Sequence, residues 1–225
     1  IFALAGEKAR LEAYLLTGVH KYMIPRQQGG ITLLGQVQDS ILGLALLTED
    51  NVHFNKVEAM TLLSHNTDFI RFEDKQTFTG REIVSKILPD NVNLYKNAHF
   101  YKKQFESIHK YSDTEKTVVI KNGVLIKGVI DKSTVGSKKS DSIQSLVFFD
   151  NGETAAKNIL YNMQQLGVNT LDYITMSLRL SDFRSPQAVR KNVADIGQEC
   201  IADCNIISEQ LQRGEIIAPI GYTPI

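Results

Sequence analysis

Residues 117–136 have the sequence TVVIKNGVLIKGVIDKSTVG, and this stretch decides the fold around it. A β-branched run is followed by Asn122 and Gly123 and then by a second apolar run. Asn-Gly favours a two-residue turn, because both of its central positions must tolerate a positive φ. The stretch therefore predicts a β-hairpin.

An acid and a lysine follow directly after the second predicted strand. Asp131 and Lys132 lie in the segment GVIDKSTVG, which Gly136 closes. We predict that Gly136 is a structural turn position and that a rigid ribbon displays the acid and the lysine together. A lysine at the end of a strand is most often a solvated side chain without a further role, and the residues alone leave that alternative open.

The composition is that of an ordinary globular protein with balanced charge. Its 225 residues are 43% hydrophobic and 22% charged, and 25 Lys and Arg balance 25 Asp and Glu. This length suits one large domain or two small ones. A module that binds nucleic acid alone usually carries a clear positive charge, because phosphate contacts supply most of the affinity. We therefore expect this chain to be a poor autonomous binder of nucleic acid.

The cysteines and the apolar runs argue against a disulfide-stabilised or membrane-spanning protein. The two cysteines are Cys200 and Cys204, which favours a reducing compartment and small side chains in a core. The longest apolar run, residues 41–47, is too short to span a bilayer. The first ten residues lack the basic start and long apolar region of a signal peptide, and the initial Ile1 suggests an excised piece or a missing beginning.

Hydrophobic periodicity predicts helices on both sides of the hairpin. For one of them, Thr79 can act as the N-cap with Glu82 at the capping-box position, and Pro89 can end it. The other predicted helices are Glu7–Leu16, a buried helix within Gly35–Thr48, Asn55–Ser64, and Glu153–Ser177 with Gly167 weakening its middle. We also expect a short strand at Ile31–Leu34, loops at His20–Gly30 and Ser137–Ser142, an irregular segment at Tyr95–Tyr111 and an extended link at Leu178–Phe183.

A long amphipathic helix is predicted after Ser185. Ser185 can cap it, Pro186 suits the first helical position and Gly214 can end it. Its apolar positions recur at three- and four-residue spacing: Val189, Val193, Ile196, Cys200, Ile207 and Leu211. Such a stripe requires a partner helix. We expect that partner to come from earlier in this chain, from beyond its end or from another subunit.

The sequence contains no recognisable catalytic or metal-binding motif. The five histidines, at positions 20, 53, 65, 99 and 109, include no pair at the i+3 or i+4 spacing of a metal site. The phosphate-binding patterns GxxxxGK[ST] and GxGxxG and the nucleophile pattern GxSxG do not occur. Asp90, Glu115 and Asp131 do not follow the arrangement that paired metal ions need. We therefore expect no metal site held by this chain alone.

Gln38 and Asp39 are unusual because they lie inside an otherwise apolar segment. A buried Gln-Asp pair needs hydrogen-bond partners that offset its desolvation. Two interpretations are open: the pair anchors neighbouring backbone, or it supports a nearby active site.

Several segments, taken in order, resemble the largest subunit of multi-subunit DNA-directed RNA polymerases of the archaeal and eukaryotic type. They are GEKARLEAYLL, VQDSILGLALLT (Val37–Thr48), FTGREIVSKILP (Phe78–Pro89), VVIKNGVLIKGVIDKSTVG (Val118–Gly136), LYNMQQL and LSDF (Leu180–Phe183). No single motif is specific, but their order and spacing match over nearly the whole chain. Arg26–Gly30 departs from the cellular pattern, and such divergence is typical of a viral or other fast-evolving polymerase.

The resemblance implies an α+β pore domain over residues 1–184 and the start of the funnel helices over residues 185–225. The pore would line the secondary channel through which nucleoside triphosphates reach the active site of a nucleotidyltransferase. Lys132 matches the first of two lysines associated with the phosphates of the incoming nucleotide, and Ser133 stands in place of the second. Gln38 and Asp39 would support the active site. The family's aspartate loop, NADFDGD, does not occur here, so Mg²⁺ would be held outside this segment, by residues preceding Ile1.

The resemblance also implies partners. They are the remainder of the largest subunit, the second-largest subunit, the DNA template, RNA, nucleoside triphosphates and a transcript-cleavage factor at the funnel, with no membrane. The compartment would be intracellular and reducing, with nucleus, cytoplasm and virion left open. Two alternatives are a free-standing interaction module that uses the stripe within residues 185–213 and a small metal-dependent nuclease.

Overall fold

The computed structural model describes residues 3–25, 29–66, 70–98, 112–216 and 221. The chain divides into two compact units, Ile1–Thr175 and Met176–Ile225. The first unit combines short helices with two small sheets, and the second is built on one long helix. The α+β class expected from the sequence is therefore confirmed.

The helices of the described residues begin at capping signals in several places. At α4 the predicted capping box is confirmed, because the backbone N–H of Glu82 donates to Thr79 Oγ1 and that of Thr79 donates to Glu82 Oε2. The α-helices are α1 Glu7–Thr17, α2 Asp39–Leu47, α3 Lys56–Leu62, α4 Gly80–Ser85, α5 Asp113–Lys116, α6 Lys132–Val135, α7 Ile143–Asn151, α8 Glu153–Thr170 and α9 Gln187–Gln212. Single 3₁₀ turns cover Val19–Lys21 and Leu180–Phe183.

Two small antiparallel sheets lie in the described part of the first unit. One pairs β1 (His53–Asn55) with β2 (Thr77–Thr79), and the other has the order β3-β4-β5, with β3 Leu94–Asn97, β4 Thr117–Lys121 and β5 Val124–Lys127. Lys121 pairs with Val124 across the hairpin turn. Asn122 and Gly123 adopt φ values of 48° and 73°, which is the geometry that an Asn-Gly turn favours. The predicted hairpin is confirmed.

The core of the first unit forms where α2 packs against α8. A Cβ atom added to Gly43 would lie 1.8 Å from the carbonyl oxygen of Gly167, and one added to Gly167 would lie 2.4 Å from that of Ser40. Gly167 therefore does not merely weaken α8, because its missing side chain lets the two helices approach each other. Fully buried side chains around this contact include Leu44, Leu47, Ile83, Ile130, Ile143, Met163 and Leu166.

The structure differs from the sequence predictions at several boundaries. Helix α8 ends at Thr170 rather than Ser177, Ile31–Leu34 is not a strand, and Leu180–Phe183 is a 3₁₀ turn rather than an extended link. Within the segment predicted as irregular, Tyr95–Asn97 belongs to β3, and residues 99–111 lie outside the described part of the chain. Helix α7 was not predicted, although Ser142 caps it by accepting a hydrogen bond from the backbone N–H of Ser145 at 3.2 Å.

The second unit contains the predicted long helix, α9. Gly214, with φ 71°, follows its end as predicted, and the backbone N–H of Glu215 donates to the carbonyl of Gln210 at 3.0 Å. Pro186 is the N-cap and the Ser185 side chain does not cap the helix. The apolar stripe of α9 is exposed except for Leu211, which is half-buried. Cys200 and Cys204 are exposed as well, so the expectation that they are core side chains is wrong.

Candidate functional site around Lys132

The loop around Pro89 fixes the hairpin turn that leads toward Lys132. The backbone N–H of Gly123 donates to the carbonyl of Val92 at 2.9 Å, and that of Asn122 donates to Asn93 Oδ1 at 3.0 Å. A Cβ atom at Gly123 would lie 2.6 Å from the carbonyl oxygen of Pro89. Position 123 therefore requires a glycine for two reasons, the close carbonyl of Pro89 and the positive φ.

Asp131 is buried and caps the short helix α6. Its Oδ1 accepts hydrogen bonds from the backbone N–H of Ser133 at 2.8 Å and from Ser133 Oγ at 2.5 Å. Its own N–H donates to Thr134 Oγ1 at 3.1 Å. The expectation that an acid–lysine pair is displayed is thus wrong, because a carboxylate at an N-cap turns inward to satisfy backbone donors. Lys132 is exposed and Asp131 is not.

The segment that carries Lys132 is hydrogen-bonded on both sides, to residues that flank α2 and to a residue of α7. On one side, the backbone N–H of Ile130 donates to Thr48 Oγ1 at 2.9 Å. On the other, the carbonyl of Val135 accepts from the backbone N–H of Gln36 at 2.7 Å and from Gln144 Nε2 at 3.0 Å. These bonds are buried and hold the backbone on both sides of Lys132 in place.

Two glycines allow this close contact. A Cβ atom at Gly35 would lie 2.3 Å from the backbone nitrogen of Ser137, and one at Gly136 would lie 2.4 Å from the carbonyl oxygen of Lys132. Gly136 also bridges to Gln36 in a parallel arrangement. Its φ is −75°, so Gly136 is needed for close approach and not for an unusual backbone angle.

Lys132 lies at a groove along the start of α2. The groove has a volume of about 540 Å³ and is lined by Gln36, Val37, Gln38, Ile41, Leu42, Ala45, Lys132 and Ser137. Its lining is mainly apolar, and its polar residues are Lys132, Ser137 and the two glutamines. The structure therefore brings Lys132 and Gln38, which are distant in sequence, to one surface.

The polar residue that anchors this region is Gln36 and not the predicted pair. Gln38 and Asp39 are both exposed, so the expectation that they are buried is wrong, while their role at an active site stays a prediction. Gln36 is 3% exposed, and its Nε2 donates to the carbonyl of Leu160 at 2.7 Å. Sequence reasoning missed Gln36 because it lies before the apolar run, where polar residues are unremarkable.

Sequence reasoning did not predict that Ser133 and Lys96 lie in contact, but the two residues are hydrogen-bonded to each other. Ser133 is buried, and its carbonyl accepts a hydrogen bond from Lys96 Nζ at 2.8 Å. Lys96 Nζ also lies 2.6 Å from Asp141 Oδ1. The hydrogen bond that Lys96 donates to Asp141, together with the charge of Lys96, holds the pKa of Asp141 below its ordinary value. Position 133 therefore faces the interior, whereas position 132 faces the groove.

A second polar cluster braces the far end of α2. Arg81 Nε donates to the carbonyls of Thr48 and Gly128 at 3.1 and 3.2 Å, and Arg81 Nη2 lies 2.5 Å from Asp50 Oδ1. Asp50 Oδ2 also accepts from the hydroxyls of Ser112 and Thr114. Burial opposes ionisation of Asp50, but the hydrogen bonds from both hydroxyls and the nearby Arg81 hold its pKa below its ordinary value.

Two features are absent from the described residues, which are 3–25, 29–66, 70–98, 112–216 and 221. In that part of the chain no three His, Cys, Asp or Glu side chains converge as a metal site would need. Likewise, none of the helices described there is both long enough and apolar enough to cross a bilayer.

Comparison with known proteins identifies a family for most of the chain. The family described as RNA polymerase Rpb1, domain 3, matches residues 23–183. A DNA-directed RNA polymerase RPB1 homolog of African swine fever virus (isolate Tick/Malawi/Lil 20-1/1983) is 29% identical over 96% of this chain. The DNA-directed RNA polymerase subunit Rpo1N of Methanococcus vannielii is 28% identical over 94% of the chain. The chain spans 15% of the viral and 24% of the archaeal relative.

Proposed function

Because the chain belongs to the family of RNA polymerase Rpb1, domain 3, we propose that it lines the channel by which nucleoside triphosphates reach the active site of a DNA-directed RNA polymerase. The chain would be part of the largest subunit, and the groove beside Lys132 would face the channel. Template-directed nucleotidyl transfer would be the activity of the whole complex.

The observation that carries the proposal is an exposed lysine on a rigid backbone. Lys132 faces a groove while the residues on both sides of it are buried and hydrogen-bonded. A lysine ammonium is a compact charge on a flexible stem, so it can follow the phosphates of a moving nucleotide. A cation at the wall of a cleft also raises the local concentration of a polyanion. Lys132 would therefore attract the triphosphate without taking part in bond formation.

The remaining chemistry is assigned outside this chain. We assign the binding of Mg²⁺ to catalytic aspartates elsewhere in the largest subunit. We assign Gln38 and Asp39 a role close to the active site. The remainder of that subunit, the second-largest subunit, the DNA template and the RNA are the proposed partners. A transcript-cleavage factor at the funnel is a further proposed partner.

The proposal is tested in the assembled polymerase that contains this chain. Lys132→Ala is expected to raise the apparent KM for nucleoside triphosphates about fivefold, because one favourable charge interaction of about 1 kcal/mol is lost. The kcat at saturating nucleotide should be unchanged, since Lys132 does not act in the chemical step. Lys132→Arg keeps the positive charge, so its apparent KM for nucleoside triphosphates should stay close to that of the wild type.

A matched control is available on the neighbouring loop. Lys138→Ala removes an exposed lysine that does not line the groove, so it should leave the apparent KM unchanged. The KM difference caused by Lys132→Ala should also shrink at high ionic strength, because salt screens exposed charges. An unchanged KM for Lys132→Ala at low salt and low nucleotide concentration would remove Lys132 from the path of the nucleotide.

A further inference from the structure

Gln38 adopts a backbone conformation that normally belongs to glycine. Its φ and ψ are 45° and −116°, and the backbone N–H of Ser40 donates to the carbonyl of Val37 at 3.2 Å. These angles are those of the first central position of a type II′ turn, where glycine is strongly favoured. A non-glycine residue held in such a region is strained, and strain of this kind concentrates at functional sites.

Among the described residues, the Gln38 side chain makes no capping hydrogen bond that would offset this strain. It is exposed and does not cap α2, although Gln38 is the N-cap residue. The anchoring bonds of this turn come from other groups. Gln36 Nε2 donates to the carbonyl of Leu160, and Ser40 Oγ donates to the carbonyl of Val37 at 2.7 Å. A glycine at position 38 would therefore adopt this turn with less strain. The presence of a glutamine points to a function of its side chain other than stabilising the fold.

We propose that the carboxamide of Gln38 contacts the uncharged part of a nucleoside triphosphate, its sugar or base, while Lys132 holds the phosphates. This inference rests on the proposed function, because it takes the ligand of the groove from it. Gln38 and Lys132 line the same groove, and an apolar wall formed by Ile41, Leu42 and Ala45 lies along it.

The chemistry of the two side chains is complementary. A carboxamide offers two N–H donors and one acceptor oxygen, which suits sugar hydroxyls and base edges. An ammonium is a point charge and suits phosphate oxygens. The strained turn fixes the direction in which the Gln38 side chain leaves the backbone, and such preorganisation lowers the entropy lost on binding. The pair would thus distinguish a nucleotide from inorganic polyphosphate.

Two substitutions separate the effect of the Gln38 side chain on KM from the effect of the strained backbone. In the assembled polymerase, Gln38→Ala removes the carboxamide and keeps a strained residue, whereas Gln38→Gly removes the carboxamide and releases the strain. Both are expected to raise the apparent KM for nucleoside triphosphates by a similar factor of about three to ten, which corresponds to one hydrogen bond. Lys138→Gly is the control, because Lys138 also has a positive φ, of 59°, but does not line the groove. It should leave KM unchanged.

The outcomes are distinguishable from those of the Lys132 experiment. A wild-type KM in either Gln38 variant would overturn the inference, since the carboxamide would then not be required. An equal increase with Lys138→Gly would overturn it as well. If Lys132→Ala raises KM and the Gln38 variants do not, the inference fails while the proposed function stands. If Lys132→Ala has no effect, the proposed function itself fails.

Discussion

The contact between α2 and α8 gives a prediction that follows directly from the geometry. Gly43→Ala places a methyl group 1.8 Å from the carbonyl oxygen of Gly167, whereas carbon and oxygen atoms normally remain more than 3 Å apart. Because the obstacle is backbone on both sides, no side-chain rotation can relieve it. The helices must separate by more than about 1 Å, which also loosens the packing of Leu44 and Met163.

The expected magnitude combines two opposing effects. Replacing glycine by alanine inside a helix gains about 1 kcal/mol from helix propensity. Overpacking against backbone and the loosened core together cost about 3–5 kcal/mol, so the free energy of unfolding should fall by about 2–4 kcal/mol. For a unit of this size the thermal midpoint should fall by about 5–15 °C.

The assay is chemical and thermal unfolding of the chain, followed by circular dichroism. Gly197→Ala is the control, because Gly197 lies within α9 and, apart from its chain neighbours and the nearby backbone of its own helix, no atom of the described residues would lie within 4 Å of the added Cβ. That variant should be neutral or stabilising by up to about 1 kcal/mol. In the double variant Gly43→Ala/Gly167→Ala the costs should not add, since both changes separate the same helices. If Gly43→Ala unfolds at the midpoint of the wild type, the described α2–α8 contact is incorrect.

Two further predictions concern the braces of the first unit. Asp50→Asn should lower the free energy of unfolding at pH 7 by about 1–3 kcal/mol, because Arg81 loses its charged partner. Since the folded-state pKa of Asp50 lies below its ordinary 3.8, wild-type stabilisation is present above that value and is lost as pH falls through the folded pKa. The Asn variant should therefore lose less stability than the wild type between pH 5 and pH 2, and parallel curves would contradict the assigned role. Gly123→Ala should cost about 2 kcal/mol, from positive φ and the contact with Pro89, and an unchanged urea midpoint would refute the turn geometry.

Local signals predicted the parts of the fold that depend on local chemistry. The Asn-Gly pair forms the turn because its two residues tolerate positive φ, whatever surrounds them. Thr79 and Glu82 start α4 through bonds within four residues, so the capping box is visible in the sequence. Gly214 ends α9 for the same kind of reason.

Two of the predictions that failed involve contacts distant in sequence. Gln38 was expected to be buried because its neighbours are apolar, but the strained turn at the start of α2 directs it outward, and Gln36 is buried against Leu160 instead. The helix over Glu153–Ser177 was predicted too long because Ile174 continues the apolar pattern. Ile174 packs against the same core from beyond the helix end, so periodicity alone could not reveal the boundary.

The candidate site was only partly predictable. Lys132 was singled out by its place after the hairpin, its role was taken from the family resemblance, and the structure adds the groove that it shares with Gln38. The inward orientation of Asp131 and Ser133 could have been anticipated from the N-cap preference of aspartate. The bond between Lys96 and the Ser133 carbonyl could not, because it depends on how β3 lies beside α6.

Affinity labelling of the assembled polymerase tests the central claim most directly. A nucleoside triphosphate with an amine-reactive aldehyde on its terminal phosphate would condense with a nearby lysine amine to an imine, with loss of water. Added borohydride would reduce the imine to a stable amine, and the modified peptide would be identified by mass spectrometry. We expect labelling of Lys132 that excess unmodified nucleoside triphosphate prevents, whereas any labelling of Lys138 should not be prevented. Labelling of other polymerase lysines with Lys132 unmodified would contradict the claim that this groove lies on the path of the nucleotide.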